Sequence, residues 1–191
     1  QKQLLKTFEI YEWLMHNIVT LLYTITAILV TDFVKVYTYS VKDTNYDLPV
    51  FAMLLTAAIA SYNYRLPYNV VVLAAGHFKQ TQNSAFIEAG INIILSIILV
   101  FNYGLIGVAI GTIVAMTYRT LYLVWYLSNN IINRPIKYFI QYLAIDSLII
   151  LTLYFATSSI QMDESTYICW LIKAIKTTLK VLSINKFINF E

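Results

Sequence analysis

Residues 84–127 read SAFIEAGINIILSIILVF, then NYG, then LIGVAIGTIVAMTYRTLYLVWYL. Two apolar runs stand on either side of the short turn Asn102-Tyr103-Gly104. Twenty residues of α-helix rise about 30 Å, the thickness of a bilayer's hydrocarbon. The apolar residues are continuous rather than alternating, so a strand reading fails: a barrel strand needs about ten residues of period two with a turn on each side. The stretch therefore predicts a hairpin of two transmembrane helices.

Working outward, the same test finds four more runs. The full set of expected spans is 13–36, 48–75, 84–101, 105–127, 137–157 and 166–182. The last is the weakest, because Lys173, Lys176 and Lys180 lie within it. The fold class expected is all-α, a polytopic transmembrane bundle of about six spans forming a single membrane domain over residues 1–191. Composition agrees. Hydrophobic residues make up 59% and charged residues 12%, with mean hydropathy +0.67. A soluble domain is about 45–50% apolar and about 25% charged, so this chain lacks the polar surface to cover a globule in water.

The connections read as turns. Residues 42–47 form a polar loop before Pro49, Gly76 is placed to end the second span, Asn129 to Pro135 separates the fourth from the fifth, and residues 161–165 the fifth from the sixth. Basic and non-basic loops alternate along them. Lys2 and Lys6, then His77 and Lys79, then Arg134 and Lys137, then Lys186 mark one side; Asp43 with Asp47, and Asp163 with Glu164, mark the other. The positive-inside rule places both termini in the cytoplasm and the chain in the cytoplasmic (inner) membrane, with membrane lipids as its surroundings. Tyrosines and tryptophans near the span ends, among them Tyr37, Tyr103, Trp125 and Tyr138, fit an interfacial belt. The net charge of +3 is small and dispersed, which argues against nucleic acid.

An ionisable side chain inside a bilayer costs roughly 2.5–3.5 kcal/mol on insertion scales and therefore faces a bundle interior or a wet cavity. Arg65 stands out, near the middle of the second span and two residues before Pro67, whose missing N–H kinks a helix. A guanidinium presented there matches the oxygens of a pyrophosphate. Glu88, Arg119 and Asp146 lie at similar depth on the cytoplasmic side and are expected to form a charged layer, as an inner gate or a packing network. Asp32 and Lys35 lie near the outer end of the first span, where Lys35 can snorkel. Asn63 and Asn92 are softer polar candidates for substrate binding. Gly107, Gly111 and Ala115 make a stripe that lets another helix approach closely.

No catalytic constellation is visible. His16 and His77 are not spaced as ligands on one helix, no glycine-rich phosphate loop is followed by a Lys, and Cys169, the one cysteine, has no credible base. No metal, cofactor or enzymatic activity is expected. No basic n-region precedes a cleavable apolar core, so no signal peptide is expected.

The ordered set Tyr46 to Pro49, Arg65-Leu66-Pro67-Tyr68-Asn69, Gly76-His77-Phe78-Lys79-Gln80-Thr81-Gln82, Asn92, and Gly104 through Thr112 resembles the C-terminal half of bacterial polysaccharide flippases. These belong to the superfamily of multidrug-and-toxin exporters and lipid II flippases. The likeness runs from about Val30 to Asn130. It implies one lobe of a two-lobed bundle with a central cavity of alternating access, and an undecaprenyl-pyrophosphate-linked oligosaccharide as substrate. Arg65 is then the best match to the family's cationic cavity residues, Arg119 a further one, and Glu88, Asp146 or Asp32 ion-coupling sites. About six spans make only one lobe, and the N-terminal lobe is expected to be absent from this sequence. Two rivals are a small-molecule or drug antiporter of the same superfamily and a non-transporting scaffold of a glycan synthesis complex. A membrane-bound transferase is disfavoured by the short loops.

Overall fold

The computed structural model describes residues 2–41, 43, 46–157 and 166–188, with side chains as far as Ser183. The turn expected at 161–165, with Asp163 and Glu164, lies outside the described residues, as do Lys42, Thr44, Asn45 and the side chain of Lys186. The described residues are helical with short connections and contain no strand. The helices are α1 (Lys2–Tyr37), α2 (Pro49–Tyr64), α3 (Leu66–Ala74), α4 (Phe78–Tyr103), α5 (Leu105–Asn130), α6 (Lys137–Thr157) and α7 (Tyr167–Ile188). Four of them, α1, α4, α5 and α6, are long and apolar enough to cross a membrane. Each apolar run of the sequence is occupied by helix, the second by α2 and α3 in succession.

Local chemistry sets the helix ends. Arg65 separates α2 from α3, two residues before Pro67. Proline has no N–H to offer the carbonyl of Asn63, so the ladder is interrupted there. At the end of α3, Gly76 takes φ +76, its N–H bonds Leu73 O and the His77 N–H bonds Val72 O. That pair of bonds is the Schellman closure of a helix, which glycine makes without a Cβ penalty. Gly104 (φ +55) turns the chain between α4 and α5.

Past that turn the two helices run together. A Cβ at Gly107 would collide with the Leu99 carbonyl, and one at Gly111 would lie 2.7 Å from Ser96 Oγ. The small-residue stripe of α5 is thus the seam against α4. The outer faces of α4 carry Phe86, Ile93, Ile94, Ile97 and Phe101, all well exposed. Lipid solvates such side chains and water does not.

The first helix extends further than the sequence reading. It begins at Lys2 rather than near 13, and its 36 residues span roughly 54 Å. Its first turns carry Glu9 and Glu12, and the fully buried Glu12 is paired there with Arg134. From α1 the bundle spreads two ways. One arm holds α2, α3, α4 and α5; the other holds α6 and α7. The arms meet at one end, where Phe8, Tyr68, Leu123, Val124, Leu127 and Phe139 form the main core. Away from Phe139, α6 packs on α1 and α7 and leaves a cleft on its α2 and α5 side.

Candidate functional site

Four sets of polar contacts, most of them buried, tie the helices together. The first gathers three residues singled out by sequence. Arg65 Nη1 donates to Glu88 Oε1 at 2.7 Å, and Arg119 Nη1 donates to Glu88 Oε2 at 3.1 Å. One carboxylate in α4 thus serves guanidiniums from the α2–α3 break and from α5. The Arg65 guanidinium also lies over the Tyr62 ring, 4.4 Å from its centre. Two cations and one anion leave this triad with one net positive charge. Arg119 Nε is buried and has no partner among the described residues.

The second set lies beside it, because Tyr64 and Arg65 are consecutive and their partners lie on different helices. The Tyr64 and Thr20 hydroxyls are 2.9 Å apart. His16, 2% exposed, packs among Tyr64, Phe139 and Tyr142, and its Nδ1 is 2.5 Å from Asp146 Oδ2. The layer expected from Glu88, Arg119 and Asp146 is therefore divided. Glu88 and Arg119 meet as expected, joined by Arg65, while Asp146 pairs with His16 across the cleft's closed end.

Glu12 anchors the third set. It is fully buried and accepts from the Tyr68 hydroxyl and from the Arg134 guanidinium. Arg134 follows Asn133, whose φ of +52 turns the chain between α5 and α6, and it lies 4.6 Å from the centre of the Tyr138 ring. The fourth set stands at the opposite end. Lys173 of α7 donates to Asp32 of α1 at 2.5 Å, Trp170 Nε1 donates to Leu29 O at 3.3 Å, and Lys35 lies 3.8 Å from Asp47. The Asp32 carboxylate therefore binds α7 to α1.

The two asparagines sit elsewhere. Asn63 donates to the Tyr23 hydroxyl at 2.7 Å and to Ile59 O. Asn92 accepts from Ser96 and Thr112 at 3.2 and 3.3 Å within the α4–α5 seam. Neither joins the Arg65 group.

Sequence reasoning missed Glu12, Tyr68, Arg134 and Lys173, and considered His16 only as a metal ligand. A signal was present. Phe8, Glu12, His16, Thr20 and Thr24 recur every four residues, one face of a helix, and all five are buried.

The cleft has a volume of about 360 Å³ and lies between α1, α2, α5 and α6. No charged residue lines it, and Arg65, Arg119, Asn63 and Asn92 all lie outside its lining. The site therefore has two parts of different chemistry: a cationic triad joining the α2–α3 break, α4 and α5, and a charge-free cleft between α1, α2, α5 and α6. No protein-family model, curated protein or solved structure matches this chain.

Proposed function

We propose that this chain is one lobe of a transmembrane exporter that moves a lipid-linked oligosaccharide across the cytoplasmic membrane by alternating access. The observation that carries this reading is the Arg65–Glu88–Arg119 triad, one net positive charge held inside an apolar bundle. An uncompensated charge in such a place is costly, and an anionic group entering the bundle relieves it. Pyrophosphate suits the paired guanidiniums because their forks match phosphate oxygens. Moving that group and its sugars through hydrocarbon unaided is prohibitive. A wet cationic path lowers the barrier while the lipid tail remains in the bilayer.

The arrangement in the membrane follows from the loops. With α2 and α3 counted together as one of about six spans, the positive-inside rule supports a cytoplasmic side for Lys2, Lys79 and Arg134, and with them for both termini. The order of motifs from Val30 to Asn130 supports the polysaccharide-flippase family, and a second lobe completes the path. The two arms diverging from α1 give a body that can rock against such a partner.

The antiporter reading is favoured by a different observation. The cleft is lined without charge, and both arginines already share a carboxylate. A lipophilic small molecule fits such a cleft without any phosphate contact.

The test reconstitutes the chain in liposomes containing a fluorescent polyprenyl-pyrophosphate-linked glycan, with a membrane-impermeant quencher outside. Faster loss of the protected signal than in protein-free liposomes, abolished by Arg65→Ala and Arg119→Ala, is the expected result. Exchange unchanged by both substitutions in well-folded protein refutes the triad's role, and efflux of a lipophilic cation instead selects the antiporter.

A further inference from the structure

We propose that the cleft between α2 and α6 holds a single hydrocarbon chain rather than a sugar. The proposal rests on the reading above only in taking the bundle to be embedded in a bilayer.

Hydroxyl-bearing residues line much of the cleft, and by residue type alone it looks suited to carbohydrate. Their hydrogen bonds reverse that impression. Thr24 donates to Thr20 O, Thr56 to Ala52 O, and Thr120 to Met116 O, all carbonyls one turn back on the same helix. The Thr20 and Tyr64 hydroxyls are bonded to each other. A threonine bonded in this way has its hydroxyl engaged and offers its methyl to the space beside it. The Tyr23 hydroxyl accepts from Asn63, and Ala27, Ala57, Ala60, Leu143 and Ile150 add apolar wall. A sugar placed there loses its water and gains too few partners, and each unpaired hydroxyl is costly.

Shape narrows the occupant further. The lining runs from Tyr64 to Met53 along α2 and from Phe139 to Tyr154 along α6. At 1.5 Å per residue these are roughly 16 and 22 Å. Spread over that length, 360 Å³ gives a section of roughly 16–22 Å², wide enough for one file of carbon atoms. By volume, set against the roughly 150 Å³ apolar cavity that stays dry and binds benzene, the cleft takes about 14 carbons. It closes at Phe139 against the main core. Surface residues stand in its walls: Met53 and Tyr154 toward the other end are 44% and 49% exposed, and Leu121 along its side is 49% exposed. A chain can thus enter sideways from the bilayer without leaving hydrocarbon.

The full chain, purified in detergent and returned to bilayers, is tested with two photoreactive probes. One is phosphatidylcholine with a diazirine in an acyl chain; the other is undecaprenyl phosphate with a diazirine in its prenyl chain. Peptide mapping is expected to find adducts on Ala60 or Leu143, and the stronger probe identifies the source of the chain. Ala57→Trp and Ala60→Trp fill the space and should cut these adducts about tenfold, while Ile97→Trp on the exposed face of α4 should not. Melting temperature confirms that each variant is folded; if one is not, the adduct map of the unaltered protein decides alone.

Adducts confined to exposed positions such as Phe86 and Ile97 would overturn the proposal, as would competition by millimolar maltoheptaose. Labelling in the cleft without glycan exchange leaves this site standing and removes the exporter reading. Exchange without labelling in the cleft does the opposite.

Discussion

Replacing Glu88 by alanine strips two guanidiniums of their shared anion. Arg65, Glu88 and Arg119 have side chains only 10%, 17% and 20% exposed, so solvent compensates little. Removing one partner of a buried pair costs about 3–5 kcal/mol, and a cation at the centre of a membrane about 2.5–3.5 kcal/mol. Both scales point to about 3 kcal/mol for Glu88→Ala. For a chain of this size, 1 kcal/mol moves the melting temperature by about 2–4 °C, so the expected drop is roughly 6–12 °C in detergent, followed by tryptophan fluorescence. Arg119→Met has a different consequence. It leaves Arg65 and Glu88 as a neutral one-to-one pair at 2.7 Å, and its cost is expected to stay under about 1 kcal/mol, because well-packed apolar groups substitute readily for buried ions. The combination Glu88→Ala with Arg119→Met leaves one orphan cation instead of two, so it should melt above Glu88→Ala alone. A double variant that melts lower, at the sum of the two single effects, would show that the three groups are not coupled and would refute the reasoning.

Six other substitutions probe the frame. Gly107→Ala drives a methyl into the Leu99 carbonyl of α4 and should cost about 1–3 kcal/mol. Gly90→Ala meets nothing within 4 Å and should raise stability by up to about 1 kcal/mol in the same melt; equal effects would dissolve the account of the seam. Lys173→Met orphans Asp32 and should lower the melting temperature by several degrees, and adding Asp32→Asn should recover most of the loss. Arg134→Met leaves the fully buried Glu12 with only the Tyr68 hydroxyl, for a cost of about 3 kcal/mol, whereas Arg134→Lys keeps the charge and should melt between the two.

The helices were legible because lipid demands long apolar runs. Residues 105–127 and 137–157 anticipate α5 and α6 closely, and Gly76 ends its helix as its type predicts. Where the reading fell short, a partner distant in sequence had changed the cost of a residue. Glu12 lies ahead of the expected first span, and its burial inside the bundle depends on Arg134, 122 residues later. Asp146 was recognised as costly, but nothing local pointed to His16, 130 residues earlier. Arg65 and Glu88 were both recognised, 23 residues apart, and their pairing still depended on how the α2–α3 break turns the side chain. Hydropathy measures each residue against lipid and carries no information about pairs. The cleft was equally hidden, since threonine counts as polar in a sequence whichever way its hydroxyl turns.

This division has a physical cause. In water, burying an apolar face selects a helix's neighbours, but lipid tails are as apolar as leucine and exert little such preference. Specificity then falls to close packing and to polar pairs. Along α1 the pairs come in order: Glu12 takes Arg134 at the α5–α6 turn, His16 takes Asp146 on α6, and Asp32 takes Lys173 on α7. On the other arm, Arg65, Glu88 and Arg119 fix the α2–α3 break, α4 and α5 against one another. An incorrect neighbour leaves one of these groups bare in hydrocarbon, at a cost comparable to a sizeable part of a protein's whole stability. The charges that make the individual helices look poorly suited to a membrane therefore select which helix lies beside which. Between α2 and α6, among the described residues, no such pair crosses, and that is where the bundle is open.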